Sequence, residues 1–520
     1  MFFRFNIPYS THLREIILPD TTALIDQAIR IETVHMTSVC LTIDSWSACA
    51  THSFLAITMH FIDRNFELKA RLLNCTAFPG RLTAPDVRGL YEKTLRRFSL
   101  HDKAIKLTTD SAPFELKGIS LLYFNWSPGD YAWKSVRRCD NVTDIDLPTD
   151  MSVVEDVFSQ LPRRVWNFAH SLRLVVKDGL DLITESATSV VRDVLDKTAE
   201  RLNSIKQSVA ACEWLQLNGQ TTLSEMTANG LTFHLKMLRF VTTAPQVVNS
   251  ALSLVTNEPA IYFTELELSV LSELVAVLEP VEEALGQVEA RTTTTVSAVC
   301  PIVKGLQTEL LKMTTSDRVQ HCQLLAIALV QSIERRLVRT YFENDDYRLA
   351  SVLDPRFKLD WIDNDSEKIR MMRLLADRVK QKVVLLSRTA KEDSDIRKMN
   401  EDTPPSPKKP KIFSFLGPST TQAGQGASSK NALKDIENYF GEGRQHVPDV
   451  ISYWKERNCD KLLTDIVREV LAVTATSPPA EKAFPTTDDF LQFEEDEVES
   501  DTFRSLLLIK HNKELYANLQ

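Results

Sequence analysis

Two aspartates stand at comparable points of two strand-like runs. Asp44 comes at the end of the apolar part of SVCLTIDSW, Ser38–Trp46, where Val39, Leu41 and Ile43 suit a strand that becomes buried. Asp110 follows AIKLTT, Ala104–Thr109, a second short strand. If the two strands are central neighbours, both carboxylates meet at one sheet edge. Two such acids can share a divalent cation, and they repel each other without one. The competing assignment is an aspartate that serves as a turn or helix-cap residue after its strand.

Such a pair needs a rigid platform, and the flanking segments supply one. FLAITMHF, Phe54–Phe61, and ELKARLL, Glu67–Leu73, read as strands joined by a turn at Asp63–Asn65. PDVRGLYEKTLRRF, Pro85–Phe98, reads as a helix capped by Thr83, with Pro85 in its first turn. A further helix can start near Ser111–Pro113. Residues 118–160 are turn-rich, with Pro128-Gly129 and the acidic Asp140, Asp144 and Asp146, and read as a loop elaboration of the sheet edge. VWNFAHSLRLVVKDGL, Val165–Leu180, reads as a strand passing into a helix, with His170 near the junction.

The remainder is helical. Apolar residues recur at three- and four-residue intervals over Val190–Ala211, Phe233–Leu254, Glu265–Val288, Val303–Met313 and Val319–Tyr341, the pattern of a bundle core. A threonine-rich turn, Thr292–Thr295, interrupts it. SVLDPRFKLDWI, Ser351–Ile362, precedes a basic helix near Glu367–Lys391. Residues 401–430 are rich in Pro, Ser, Gly, Gln and Lys and read as a flexible linker. Within them, Lys408-Lys409-Pro410-Lys411 is either a solubilising charge cluster or a nuclear-import patch. Helices return at Asp449–Arg457 and Leu462–Val473. An acidic stretch over 488–501 then precedes a last apolar helix at Phe503–Leu508.

At 520 residues the chain is too long for one simple core and implies two or three units. The net charge of −9 excludes a polycationic nucleic-acid binder, so any DNA contact needs a local basic face. None of the eight cysteines pairs at C-x-x-C spacing, and no Cys/His set has zinc-finger spacing, so no structural zinc is expected. No run is apolar and long enough to cross a membrane, and no membrane contact is expected. A reducing compartment, cytosol or nucleus, fits this cysteine usage. The abrupt start at Phe2-Phe3 reads as a chain lacking an upstream module.

Five blocks, in order, resemble the transposases of the hAT superfamily, close to the BED-finger-containing, transposon-derived nuclear proteins. They are LTIDSW (Leu41–Trp46), KLTTDSAPFELKG (Lys106–Gly118), NFAHSLRLVVKDGL (Asn167–Leu180), SVLDPRFK (Ser351–Lys358) and the pair ISYWKER with LAVTATSPPAEKAF between Ile451 and Phe484. The resemblance spans about residues 5–516. It implies a ribonuclease-H-like mixed α/β sheet interrupted by a large all-helical insertion and completed by a C-terminal dimerisation region. The implied layout is a lead-in over 1–35, the first part of the core over 36–181, the insertion over 182–400, a linker over 401–432 and the C-terminal region over 433–520.

Carried over by resemblance, Asp44, Asp110 and Glu481 form the acidic triad. They would hold Mg²⁺ or Mn²⁺ for DNA strand cleavage and transfer, with His170 as a further catalytic residue. DNA, a homo-oligomer through residues 433–516 and a nuclear location follow from the same likeness. For dimerisation the candidate surface is Ile451, Trp454, Leu462, Leu463, Ile466, Val467 and Val470, whose other assignment is core within one chain.

The chain departs from the family pattern at several points. Asn167 stands where the family has Cys or Asp, and Leu82-Thr83 where it has His-Thr. Thr227-Ala228-Asn229-Gly230-Leu231 lacks the family's Arg-Trp pair, and no BED finger precedes residue 5. These losses imply a degenerate, dimerising transposase. The alternative is a non-catalytic nuclear regulator associated with DNA or chromatin and derived from one.

Overall fold

The computed structural model describes residues 9–48, 52–79, 82–109, 163–184, 190–217, 231–256, 261–289, 294–399, 423–476 and 500–517. The strands are β1 (Val39–Ala48), β2 (His52–Ile62), β3 (Leu68–Pro79), β4 (Ala104–Thr109) and β5 (Arg163–Trp166). The helices that matter below are α1 (Leu18–Val34), α2 (Ala84–Phe98), α3 (Phe168–Thr184), α4 (Val190–Gln207), α5 (Leu231–Thr243), α6 (Glu265–Val288), α7 (Val299–Met313) and α8 (Gln323–Ile333). They continue with α9 (Asp365–Met399), α10 (Ala423–Gly441), α11 (Val450–Glu456), α12 (Lys461–Leu471) and α13 (Ser500–His511). The chain divides into two compact units. The first takes residues 1–167, 291–294 and 352–520, and the second takes 168–290 and 295–351.

The first unit is built on one five-stranded sheet of order β3-β2-β1-β4-β5. β1, β2 and β3 form an antiparallel meander, and β4 and β5 join it in parallel. This is the ribonuclease-H-like mixed sheet with helical elaboration. The β2–β3 turn lies where its sequence places it, with Asp63 Oδ1 accepting from the Asn65 and Glu67 amides at 2.9 Å each. Phe66, at φ 56°, closes the turn in the left-handed region. α2 starts at a reciprocal capping box between Thr83 and Asp86, as Thr83 before Pro85 predicts.

Side chains alternate across the strands, so the sheet has two different faces. One carries Leu41, Ile43, Leu55, Ile57 and Met59, buried with Ile25 and Ile29 of α1 and Val87, Leu95 and Phe98 of α2. Fully burying one such side chain stabilises the fold by roughly 1.5–3 kcal/mol. Its edge is closed by Arg71, which donates to both oxygens of Glu32 at 2.8 and 2.9 Å. The other face begins as a small apolar patch of Phe54, Ala56, Leu72 and Cys75 under Leu507 and Leu508 of α13. Asn512 Nδ2, just past that helix, donates to the Leu72 carbonyl at 3.0 Å. The C-terminal chain therefore returns to the sheet.

SVLDPRFK folds into a turn that grips the C-terminal helices of the same unit. Asp354 is fully buried and accepts two bonds from the Arg356 guanidinium, at 3.0 and 2.8 Å. Lys358, 4% exposed and at φ 47°, donates to the carbonyls of Tyr439 and Glu442 at 2.6 Å each. Those carbonyls lie at the end of α10, where a cation both satisfies orphan acceptors and suits the helix dipole. Tyr439 Oη returns a bond to the Val352 carbonyl, and Trp454 Nε1 donates to the Leu353 carbonyl, both at 2.9 Å.

Ile451, Trp454, Leu462, Leu463, Ile466 and Val467 are all buried within this single chain, and Val470 is partly buried. They are core here, which corrects the reading of these side chains as a free pairing surface. One face of α12 cannot both fill its own unit and meet a second copy.

Among the described residues, the regular structure of the second unit is all helical. In α6, Val270, Leu274, Val277, Val281 and Leu285 keep helical spacing and are buried, as the sequence pattern predicts. Its start is a capping box of Thr264 and Glu267, and Glu267 is also bonded by Arg201 of α4 at 2.9 Å. Gly179 lets α3 and α8 approach closely, since a Cβ there would lie 2.7 Å from Leu329 Cδ2. Two predicted helices are corrected. The run over Val190–Ala211 ends its first helix at Gln207, and a second helix starts at Val209. The run over Phe233–Leu254 is two helices, because Pro245 opens a new one rather than continuing α5.

Candidate functional site

Asp44 is not the last residue of its strand. β1 continues to Ala48, and Asp44 pairs with Ala56 of β2. The register is sustained through Trp46↔Phe54 and Ala48↔His52, which extends the ladder beyond the apolar run. An aspartate inside a paired strand is neither a turn residue nor a helix cap, so that assignment falls. Asp44 is half-buried and lies on the second face of the sheet, in the alternation series of Cys40 and Thr42.

Its neighbours on that face are fixed by register. Ala56 pairs with both Asp44 and Cys75. Burial pushes the Cys75 thiol up to about 12, the Arg504 guanidinium of α13 opposes that rise, and the Asp44 carboxylate adds to it. Asp44, Cys75 and Arg504 thus share one electrostatic neighbourhood. Arg504 is a residue that sequence reasoning missed, because its helix is separated from β1 by more than 400 positions. Toward β4 the face becomes polar. Thr42 is in register with Thr108, and Cys40 with the buried Lys106. His60 Nε2 lies 3.2 Å from Thr42 Oγ1, and burial pushes that imidazole down to about 4, so it is neutral at physiological pH.

β1 and β4 are parallel neighbours, and the final pair of their register is Ile43↔Thr109. In the sequence, Asp44 and Asp110 directly follow that pair. Asp110 lies outside the described residues, as does Glu481, five positions after the buried Thr476. Of the expected triad, Asp44 alone is therefore placed. Among the described residues there is no group of three or more His, Cys, Asp or Glu arranged to hold a metal ion. One half-buried carboxylate fits a ligand role in chemical type but supplies only part of a divalent-cation site.

His170 is the third residue of α3 and is half-buried. It belongs to the second unit, and Asp44 to the first. Next to it, Ser171 Oγ lies 2.7 Å from Tyr341 Oη, and the Tyr341 ring packs edge-on against Phe168 at 4.9 Å between centroids. About two turns further along α3, Asp178 is tied to Ser332, Arg335 and Arg336 at 2.5–2.8 Å. Burial alone would raise its pKa, but these donors outweigh it and hold the carboxyl at about 2. Asn167, the departure from the family's Cys or Asp, is buried and donates its backbone N–H to the Thr109 carbonyl at 3.1 Å. Thr227–Gly230, where the Arg-Trp pair is lacking, lie outside the described residues.

With this geometry in place, the comparison with protein families is direct. Residues 42–123 match the family model of the ZBED1 RNase-like domain. This segment is similar to that domain. The match starts within β1, two residues before Asp44, and runs past Asp110, so it covers both candidate acids of this part of the sequence. It supports a transposase-related origin for the ribonuclease-H-like core. No curated protein matches the chain. Among the described residues, no helix is long and apolar enough to cross a membrane.

Proposed function

We propose that the chain is a hAT-type transposase-like protein whose ancestral activity was metal-dependent cleavage and transfer of DNA strands. In this reading Asp44, Asp110 and Glu481 are the acidic triad. The observation that carries it is the parallel β1–β4 register ending at Ile43↔Thr109, the two residues that precede Asp44 and Asp110 in the sequence. The similarity of residues 42–123 to the ZBED1 RNase-like domain supports it. The triad would hold Mg²⁺ or Mn²⁺, which when bound supplies activation of water or a 3′-hydroxyl and neutralises charge at the phosphodiester. The protein's own contribution is placement. The β1 backbone, paired with β4 up to Ile43 and with β2 at Asp44 itself, keeps Asp44 at a fixed height on the sheet, and the neutral His60 and Thr42 add no competing charge beside it.

Catalysis in this chain is degenerate, and the missing Arg-Trp pair at Thr227–Leu231 is the observation behind that statement. It also favours the second reading, a non-catalytic nuclear regulator that associates with DNA or chromatin as a homo-oligomer. Oligomerisation through residues 433–516 would have to use side chains other than the buried Ile451, Trp454 and Leu463.

The deciding experiment is Mn²⁺-dependent nicking or joining of DNA carrying the element's own terminal repeats. The parent chain is compared with Asp44→Asn, Asp110→Asn and Glu481→Gln. Activity lost in all three variants supports the transposase reading. DNA binding by the parent with no cleavage leaves the regulator as the function.

A further inference from the structure

The segment just before Glu481 is held by side chains rather than by secondary structure. After α12 ends at Leu471, the backbone over 473–476 is neither helix nor strand, yet Ala475 is fully buried and Thr476 nearly so. A buried irregular segment must find partners for its carbonyls outside a helix or ladder. Two threonines of the same unit supply them. Thr294 Oγ1, from the threonine-rich turn, donates to the Leu471 carbonyl at 3.0 Å, capping the C-terminal end of α12. Thr108 Oγ1, from β4, donates to the Thr474 carbonyl at 3.4 Å. Both donors are buried, and Thr108 is in register with Thr42, two positions before Asp44.

We propose that Thr108 and Thr294 are positioning residues that anchor residues 471–476 against β4, so that the chain enters the Glu481 segment from a fixed point beside the Asp44 strand. The positioning role rests on the acid-triad reading above, whereas the anchoring does not. A hydroxyl is required at each position, since valine would fill the same space and leave the buried Leu471 carbonyl or the carbonyl of half-buried Thr474 without its donor. The threonine-rich turn thereby acquires a role that its composition does not announce.

The test uses the full chain and four variants: Thr108→Val, Thr294→Val, the double variant, and the double serine variant Thr108→Ser/Thr294→Ser. Thr308→Val, at an exposed threonine bonded to the Lys304 carbonyl of its own helix, is the control. Hydrogen exchange of the 471–476 amides reports anchoring, and Mn²⁺ affinity by calorimetry reports positioning, with Asp44→Asn defining the site. We expect the double valine variant to exchange at least tenfold faster over 471–476 and to bind Mn²⁺ at least tenfold more weakly. The serine variant and the control should match the parent in both.

Parent-like exchange in all valine variants overturns the anchoring. Faster exchange with parent-like Mn²⁺ affinity overturns the positioning role. If the parent shows no Mn²⁺ binding sensitive to Asp44→Asn, the triad reading and the positioning role fall together, and the exchange data still decide the anchoring. Should the double variant not fold, the single valine variants carry the same comparison.

Discussion

On one face of the sheet Leu41, Ile43, Leu55 and Ile57 are packed beneath α1 and α2; on the other, the same strands present Thr42, Asp44, Thr58 and His60. The residues are interleaved one by one, so both faces have the same backbone and the same hydrogen-bond ladder. The difference between them lies in what each covering layer can do. The apolar face supplies stability through burial. The polar face is covered by the C-terminal chain through Leu507, Leu508 and residues 471–476, and it keeps buried and half-buried oxygen and nitrogen groups in fixed positions. A ribonuclease-H-like sheet can lose chemistry from the second face and keep its fold through the first, as the proposed degenerate transposase would require.

This contrast can be broken most forcefully on the apolar face. Leu41→Ala should lower the unfolding free energy by about 2–5 kcal/mol, read from denaturant midpoints at unchanged m. A loss below about 1 kcal/mol would show that the apolar face does not carry the stability assigned to it.

The next largest effect is on the polar face and depends on pH. His60 has a folded-state pKa of about 4 against 6.5 for the ordinary imidazole, so the unfolded chain binds the extra proton between those values. Its contribution is complete above pH 6.5, declines as pH falls through that window, and is constant below about 4. The slope is at most about 1.4 kcal/mol per pH unit, and the total is about 3 kcal/mol. In His60→Gln that part of the pH dependence should vanish. An unchanged profile would place the titration elsewhere.

Thr42→Val is expected to cost about 1–2 kcal/mol, because it leaves the His60 ring nitrogen buried without its partner. Asp44→Asn should change stability by less than about 1 kcal/mol, since it conserves size at a half-buried position. If thermal melts show Asp44→Asn as damaging as Leu41→Ala, Asp44 is a structural residue and the division between the faces is wrong.

Much of this sheet was legible before its coordinates. Strand-like apolar runs and a turn at Asp63–Asn65 announce the β1–β2–β3 meander, and Thr83 followed by Pro85 announces the start of α2. The position of Asp44 within β1 was not, because the strand's extension to Ala48 comes from pairing with β2 rather than from an apolar run. The role of SVLDPRFK was equally hidden. Its partners, Tyr439, Glu442 and Trp454, lie 80 or more positions downstream, and local pattern carries no information about such contacts. The same limit explains α12. A helical apolar stripe announces that one face is covered, and only the fold shows that its own chain covers it.

The central proposal is that Asp44, Asp110 and Glu481 form one site for divalent cations. Mn²⁺ binding to the full chain, titrated for the parent and for Asp44→Asn, Asp110→Asn and Glu481→Gln separately, tests it most directly. The account predicts that the parent binds and that each single substitution weakens binding at least tenfold, to a similar extent. Binding that survives all three substitutions, or that responds to Asp44 and Asp110 while ignoring Glu481, would contradict it.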